Sequence, residues 1–470
     1  MASNKEILDK IVIFEASKVR NAFLRNGLDY WPAIRIRLAF GLIAQRYQNS
    51  ISKDRIFKKG LISLCKNFCS ILKKSPKSEV LFVTHDNYQY SVEGRNYDRV
   101  LEGYKLDCRH KGESYLELNL ATGDITFCDS RKVVKRVQGH LFLLKIYVYI
   151  LARLMKKKRT RLDKPVNYIN KNLRRVFPGY EVTTLHISQY LIYIDHLVRF
   201  FDYLLKQLGV TKIYQATYYD PIGLSINAAA SQLGIKTYCA QHGGQSRNNP
   251  AFGQWTNLPA KGYAMLPDIF LCWDKESTNT ITEWSSKNKY HMAQTVGYKW
   301  AELWRYGKIQ YSGTTELNQL AKGKLNILYS MQPSIGITPS IINKMVKRFY
   351  NEVNWWFRLH PRQIGSQVEQ ELRQIYYGTG NIFISEATDK PLPALMTVID
   401  LHLTCFSSCV YEAMMFDVPT VFIDRAGQEY FNETIQSGKA ELCLTFEELE
   451  NNIYKRLHNA SQESNNEIIL

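Results

Sequence analysis

Cationic and imidazole side chains cluster at the end of one short apolar run in the C-terminal half of the chain. Arg358, His360 and Arg362 surround Pro361 directly after this run. Two guanidinium groups and an imidazole at one strand edge suit an anion such as a diphosphate or a nucleotide phosphate. The proline fixes the turn that leaves the sheet. We therefore expect Arg358, His360 and Pro361 to form part of a phosphate-binding site.

A second cluster contains two adjacent hydroxyl groups, Ser407 and Ser408, at the start of a predicted helix. The N–H groups and the dipole of a helix N-terminus attract phosphate. Either serine could also act as a plain N-cap, and the two interpretations are compatible. Glu412 follows within the same helix and could accept hydrogen bonds from ribose hydroxyls or complete a capping box. The two clusters together predict two walls of one phosphate site.

Three polar residues follow predicted strands in the N-terminal half and could exchange protons. Asp86 follows the strand Glu79–Thr84, Asp220 precedes a helix, and His242 follows the strand Ile235–Ala240. The carboxyl ends of parallel strands are where α/β sheets place ligands. Each residue also has a structural interpretation, because the two aspartates could cap helices and the histidine could be a core residue in a tight turn.

A glycine pair directly follows His242 in the sequence. Gln241 precedes the histidine, and Gly243 and Gly244 follow it. Glycines directly after a strand allow positive φ and let backbone N–H groups approach a ligand closely. We therefore expect this loop to lie near a ligand, and a tight turn is the structural alternative.

Short apolar runs alternate with helical patterns and predict an α/β protein of two domains. A βαβ unit runs from Thr211 to Ala240, with Asp220 and Pro221 at the helix start and Gly234 at its end. A polar stretch follows it, so we place the boundary there and predict domains at residues 1–255 and 256–470, the first with a helical N-terminal extension. The strands predicted for the second domain are 267–273, 295–297, 325–330, 355–359, 382–384, 398–403 and 420–423.

The net charge of +18 allows nucleic acid, an anionic membrane surface or an anionic substrate as a partner. The basic segments Arg55–Lys74 and Lys132–Arg161 lie beside apolar stripes, which favours packed helices or membrane-surface docking over nucleic-acid binding. No apolar run approaches the roughly 20 residues of a membrane span, and we see no signal peptide. We interpret the nine cysteines as reduced thiols and expect a cytoplasmic protein.

The order of these motifs resembles that of bacterial surface-polysaccharide glycosyltransferases of the GT-B fold. The resemblance covers Ile213 to Asp424 and rests on Gln241–Gly243 after a βαβ unit, Arg358–Pro361 at a strand edge, and Ser407–Ser408 followed by Glu-Ala and a later Pro-Thr. The most similar members are the capsule and lipopolysaccharide enzymes that use CMP-linked sialic acid or Kdo. The same motif pair occurs in transferases that use CDP-glycerol.

The resemblance implies two Rossmann-like domains facing a cleft, with the acceptor bound by the N-terminal domain and the donor by the C-terminal one. His360 would then contact the phosphate or base of CMP, and Ser407 and Ser408 its phosphate. Transfer needs a base, for which Asp86 is the first candidate and Asp220 and His242 are the next. We expect no cofactor besides the nucleotide-linked donor and no metal.

The implied acceptor is an anionic growing polysaccharide or a lipid-linked glycan, with peripheral contact at the cytoplasmic face of the inner membrane. Two alternatives stay open. One is a phosphotransferase of the teichoic-acid or capsule type that uses a CDP-polyol, glycerol or ribitol. The other is a basic nucleic-acid- or membrane-binding scaffold without catalysis.

Overall fold

The structure is a computed structural model that describes residues 4–46, 77–85, 88–120, 134–136, 138–154, 160–333 and 337–467. The chain divides into two compact domains, Met1–Trp300 and Ala301–Leu470. The predicted segment Arg55–Lys74 and the predicted base Asp86 lie outside the described residues. No helix among the described residues is long and apolar enough to cross a membrane.

A parallel sheet forms the centre of the N-terminal domain. The strands of this domain are β1 (Leu24–Arg25), β2 (Leu28–Asp29), β3 (Val80–Thr84), β4 (Gln89–Val92), β5 (Arg95–Asp98), β6 (Tyr115–Asn119), β7 (Val134–Arg136), β8 (Lys212–Gln215), β9 (Lys236–Ala240), β10 (Ile269–Cys272) and β11 (Met292–Thr295). Strands β1 and β2 form one antiparallel hairpin, and β4 and β5 form another. The others form the sheet in the order β11-β10-β9-β8-β3-β6-β7.

Helices surround this sheet. They are Asn4–Ala16, Trp31–Arg46, Glu102–His110, Gln138–Leu154, Asp163–Leu173, Thr184–Leu208, Pro221–Leu233 and Lys275–Ser285, with short 3-10 turns at Lys18–Phe23 and Thr160–Leu162. The predicted N-terminal helices bury Ile7, Phe14 and Leu38 in the same core as Leu81 of β3. They are therefore part of the domain core and not an appended extension.

The structure places the domain boundary after Trp300, not after residue 255. Strands β10 and β11 were predicted for the second domain. Instead, β10 pairs with β9 in parallel, with Ile269 opposite Tyr238, and β11 pairs with β10. Both strands therefore extend the first sheet.

A buried ion pair explains why the polar stretch near residue 255 is not a linker. The guanidinium of Arg35 pairs with Glu15, and both side chains are fully buried. Arg35 also donates to the carbonyl of Gly253 over 2.6 Å, and Glu15 accepts from the N–H of Thr256 over 2.9 Å. Because a buried ion pair is stable only when its remaining groups are hydrogen-bonded, this pair ties residues 253–256 to the N-terminal helices.

The C-terminal domain contains a second parallel sheet. Its strands are β12 (Leu325–Ser330), β13 (Val353–Arg358), β14 (Ile382–Phe383), β15 (Leu401–Thr404), β16 (Thr420–Phe422) and β17 (Ala440–Leu442). They lie in the order β14-β13-β12-β15-β16-β17. Its helices are Thr314–Ala321, Ser340–Arg348, Gln367–Ile375, Ser385–Asp389, Leu392–Met396, Cys409–Met415, Arg425–Gln436 and Phe446–Glu467, while Lys299–Arg305 spans the boundary.

Both sheets are doubly wound. In each, the first strand along the chain lies inside the sheet, the next two are added on one side and the later ones on the other, which is the Rossmann-like order. The predicted α/β fold with two Rossmann-like domains is confirmed, and the predicted cleft stays a prediction. Such sheets bind ligands where the winding direction reverses, which here is between β3 and β8 and between β12 and β15.

Candidate functional site

Three strands of the C-terminal sheet end together at its reversal point. In the pairing register, Ser330 of β12 lies opposite Arg358 of β13 on one side and Thr404 of β15 on the other. Each is the last residue of its strand. The strand end predicted from Arg358 and the strand end predicted from the serine pair therefore flank β12, one on each side.

Hydroxyl groups connect β12 to the loop after β15. The Thr404 hydroxyl donates to the carbonyl of Ser330 over 3.2 Å and accepts from the N–H of Ser407 over 3.1 Å. The Ser407 hydroxyl oxygen accepts from the N–H of Cys409 over 3.3 Å. Because that oxygen serves as an acceptor in this bond, its own proton remains available for donation. Ser407 is thus held in place by backbone geometry.

Ser408 does not cap the helix that follows it. It precedes the predicted helix, Cys409–Met415, but its backbone is helical and its exposed side chain makes no capping hydrogen bond. The helix has only 7 residues, so its dipole is small. Glu412, within this helix, is 9% exposed. Ser407, not Ser408, carries the hydrogen bond at the helix start.

The thiol of Cys409 marks the point where these side chains meet. Burial raises its pKa, and the charge of Glu412 adds to the rise. Ser407, Arg358 and Ser330 oppose it. Groups from β12, β13 and the loop after β15 therefore lie around one thiol, which was not predicted as a site residue.

Arg358 has a structural task at this edge. Its Nη1 donates to the carbonyls of Ala387 over 2.5 Å and Lys390 over 3.0 Å. These bonds fix the segment after β14 against β13. A guanidinium has five N–H donors, so Nε and Nη2 are not used by these two bonds. Arg358 is therefore both an anchor and a candidate anion contact.

The ring of His360 is oriented by the turn that follows it. The ring Nδ1 accepts from the backbone N–H of Arg362 over 3.1 Å. The backbone N–H of His360 donates to Oε1 of Gln363 over 3.0 Å. Burial lowers the pKa of His360, and the Arg362 charge lowers it further. The neutral ring then carries its proton on Nε2. Pro361 lies in this turn, as predicted, and it is exposed.

A buried histidine behind this edge was missed. His402 is fully buried, with Nε2 3.0 Å from the Ser330 hydroxyl oxygen and Nδ1 3.1 Å from that of Thr420. Loss of hydration lowers the pKa of His402 to about 3, so the ring is neutral near pH 7. Its position within the apolar strand sequence Leu401–Thr404 was the available signal.

Asp220 lies at the carboxyl edge of the N-terminal sheet and caps a helix as predicted. It accepts from the N–H of Gly223 over 2.7 Å, and the helix runs from Pro221 to Leu233. Loss of hydration raises its pKa, while the His85 charge, backbone N–H groups and Lys145 oppose the rise. Asp220 therefore combines a capping role with a carboxyl group of increased basicity.

His242 lies at the same edge among tyrosines. Its Nε2 is 2.8 Å from the Tyr219 hydroxyl oxygen, and its ring centroid is 5.2 Å from that of Tyr88. Burial lowers the pKa of His242 to about 4, and the Arg99 charge adds to the effect. Tyr88 and Tyr219 were not predicted as site residues, although Tyr219 directly precedes Asp220 in the sequence.

The loop after β9 is held by its glutamine. Gln241 is 1% exposed, donates to the Gly243 carbonyl and the Ser277 hydroxyl, each over 3.0 Å, and accepts from the N–H of Trp273 over 2.7 Å. Its side chain is thus structural. Neither Gly243 nor Gly244 has a positive φ, so the predicted use of the glycines for left-handed backbone is wrong.

Comparisons with known proteins find only distant similarity to solved structures. No family model matches the sequence, and no curated protein matches it. UDP-GlcNAc 2-epimerase from Neisseria meningitidis is 12% identical with a TM-score of 0.49, over 82% of this chain and 92% of that one. The epimerase from Methanocaldococcus jannaschii is 12% identical with a TM-score of 0.47, over 81% and 92%. The wall teichoic acid polymerase TagF is 10% identical with a TM-score of 0.42, over 88% and 92%. Similarity at this level assigns no chemistry to this chain.

Proposed function

We propose that this protein is a glycosyltransferase that transfers a sugar from a CMP-linked donor, sialic acid or Kdo, to a bacterial surface polysaccharide or a lipid-linked glycan. The observation that carries the proposal is the convergence of Ser330, Arg358 and Ser407 at the reversal point of the C-terminal sheet. Doubly wound sheets bind nucleotides at this position. The CMP assignment itself depends on the order of the sequence motifs.

The C-terminal edge offers donors of the kind that a departing phosphate needs. His360 presents Nε2–H, Ser407 has a hydroxyl proton to donate, and Arg358 retains N–H groups on Nε and Nη2. Preorganised donors stabilise charge that develops on the leaving group. In this role the three side chains bind the CMP phosphate, with Ser408 exposed beside them and Glu412 as a candidate acceptor for the ribose hydroxyls.

Asp220 is the better base of the two described candidates. A general base works best when its pKa lies near the operating pH. Loss of hydration raises the pKa of Asp220 from its ordinary value, whereas it lowers that of His242 to about 4. We therefore assign deprotonation of the acceptor hydroxyl to Asp220, and a positioning role to His242 through Tyr219. The N-terminal domain then carries the acceptor, and Lys145 near Asp220 offers a cation for an anionic glycan.

A thermal-shift screen with CMP, CDP, UMP, UDP and GDP tests the nucleotide assignment. A ligand that binds the native state stabilises it by about 2.7 kcal/mol at 100 times its Kd. We expect CMP or CDP to raise the melting temperature above the uridine and guanosine nucleotides. Ser407→Ala should lose the shift, and Ser437→Ala, at an exposed serine that bonds to the Thr434 carbonyl, should keep it. Preferential stabilisation by UDP or GDP would overturn the assignment.

A further inference from the structure

A cationic cavity of about 680 Å³ lies among the helices of the N-terminal domain. The hairpin β1–β2, the turn Thr160–Leu162 and the helices Gln138–Leu154 and Thr184–Leu208 all contribute to its wall. Neither Asp220 nor His242 lines it. The cavity is therefore separate from the residues proposed for catalysis.

The charges in this cavity are unbalanced. Its lining contains the guanidinium groups of Arg25, Arg161 and Arg199 against the single carboxylate of Asp195. Asp195 accepts from Arg199 over 3.0 Å and from the Tyr30 hydroxyl over 2.9 Å, so it already has an ion-pair partner in Arg199. Neither Arg25 nor Arg161 forms an ion pair within the part of the chain that the structure describes.

Arg25 is in an environment that disfavours its charge. Loss of hydration is the main cause that lowers its pKa, and the charge of Arg161 acts in the same direction, while Tyr30 and Asp195 oppose the change. A partly buried cation is costly when, as for Arg25 among the described residues, it forms no ion pair of its own. An anion placed between Arg25 and Arg161 would remove that cost.

An apolar groove of about 350 Å³ adjoins the cavity. It is lined by leucines of the helix Gln138–Leu154 together with Tyr147 and Phe200, and His196 lines both the groove and the cavity. The His196 ring packs against the edge of Tyr147 with centroids 5.4 Å apart. The cationic cavity and the groove are thus one continuous surface, with opposite chemistry at its two ends.

The same helix leaves an apolar face uncovered. Leu143, Ile146, Tyr147 and Ile150 are 42%, 39%, 51% and 54% exposed. Residues at this spacing share one face of a helix. Exposed apolar faces of this kind beside cations are typical of helices that lie in a membrane interface.

We propose that this surface binds an anionic phospholipid of a membrane, with the phosphate between Arg25 and Arg161 and the hydrocarbon chain along the groove beside Leu143. Charge complementarity selects the phosphate, and the adjoining groove selects an amphiphile over a free anion. The uncovered face of the helix Gln138–Leu154 would enter the lipid layer. The assignment needs no sugar transfer, so it can be tested apart from the proposed function.

Vesicle co-sedimentation of the full chain tests the proposal. We expect binding to vesicles rich in phosphatidylglycerol and none to phosphatidylcholine alone. Since each cation near an anionic surface contributes about fivefold in affinity, Arg25→Gln with Arg161→Gln should weaken binding about 25-fold. The charge-matched control is Arg174→Gln with Arg175→Gln, at two exposed arginines elsewhere in the domain, and it should bind about as the wild type does.

A second pair of variants examines the groove, through Leu143, and the exposed helix face beside it, through Ile150. Leu143→Gln with Ile150→Gln should lose vesicle binding, whereas Ile375→Gln, at an exposed apolar residue of the C-terminal domain, should not. If Arg25→Gln lowers the melting temperature, Arg161→Gln alone serves, because Arg161 is exposed. All variants should keep their stabilisation by CMP, so loss of vesicle binding is distinguishable from loss of the donor site.

Three results would overturn the proposal. One is the absence of binding to anionic vesicles. Another is vesicle binding that is equal in the wild type and both site variants, which would place the membrane contact elsewhere. The third is a combination of two observations. Inorganic phosphate stabilises the protein only when Arg25 and Arg161 are present, and the variant Leu143→Gln with Ile150→Gln binds vesicles normally. This combination would identify a site for a free anion.

Discussion

The backbone N–H of Arg362 donates a hydrogen bond to Nδ1 of His360 over 3.1 Å. This contact selects the tautomer of the ring, because the neutral imidazole must then carry its proton on Nε2. The two residues are separated only by Pro361, so the sequence of the turn itself determines which nitrogen faces outward. His360 is in this way prepared as a hydrogen-bond donor at neutral pH.

Substitution of His360 separates ligand binding from turn stability. Asparagine can accept from the same N–H in an Asx turn, whereas alanine cannot. We expect His360→Ala to lower the unfolding free energy by about 1 kcal/mol for the lost hydrogen bond, and His360→Asn to retain it. Both variants should lose the thermal shift caused by CMP. Full CMP binding by His360→Asn would contradict the donor role of Nε2.

Arg358 should behave differently from its neighbour Arg362. Arg358→Ala leaves the carbonyls of Ala387 and Lys390 without this donor, so we expect a loss of about 2–3 kcal/mol in unfolding free energy. Arg362→Ala, at an exposed side chain, should change it by less than about 0.5 kcal/mol. Denaturant unfolding of both variants measures the difference. Equal stability would mean that the Arg358 anchor is unimportant.

Asp220→Asn tests the proposed base without removing the helix cap. Asparagine caps helices about as well as aspartate, but it cannot accept the proton, so transfer should fall by about 10²–10⁴-fold. Folding raises the pKa of Asp220. The folded protein therefore loses stability as the pH rises above the pKa that Asp220 has in the unfolded chain. Asp220→Asn should therefore raise the melting temperature at pH 7. Unchanged transfer would exclude Asp220 as the base.

His242 should make the protein sensitive to acid. Its pKa falls from the ordinary 6.5 to about 4 on folding. A histidine whose pKa is lowered by folding contributes stability at pH values above its pKa in the unfolded chain. That contribution is lost as the pH falls toward its pKa in the folded protein. We expect His242→Gln to flatten the dependence of melting temperature on pH between these two values. An identical pH profile in the variant and the wild type would contradict the burial of His242 as a neutral ring.

Local signals made parts of the fold predictable. The helix Pro221–Leu233 has its cap Asp220, its first-turn proline and its terminal Gly234 encoded within a few residues, and each takes the expected position. The assignment of β10 to the first sheet was not predictable in this way. It depends on the pairing of Ile269 with Tyr238, a contact between segments that the sequence pattern does not connect.

The candidate site shows the same limit. The positions of Arg358 and Gln241 at strand ends were enough to predict them as site residues. Those positions did not predict which of their side-chain atoms form hydrogen bonds with the backbone. Gln241 satisfies the N–H of Trp273, and Arg358 bonds to two carbonyls after β14. These partners lie far along the chain. The residue types therefore predicted a ligand-binding role for both residues, and only the structure shows that their side chains also anchor the backbone. His402 was missed because its hydroxyl partners are also distant.

The release of CMP from nucleotide-linked donors tests the central proposal most directly. The purified full chain would be incubated in turn with CMP-sialic acid, CMP-Kdo, CDP-glycerol, and UDP- and GDP-sugars, with an anionic glycan acceptor and with Asp220→Asn as the inactive control. We predict CMP release from CMP-sialic acid or CMP-Kdo that requires the acceptor. Release from CDP-glycerol alone would favour the polyol phosphotransferase, and turnover of UDP- or GDP-sugars alone would contradict the assignment of a cytidine nucleotide as the donor.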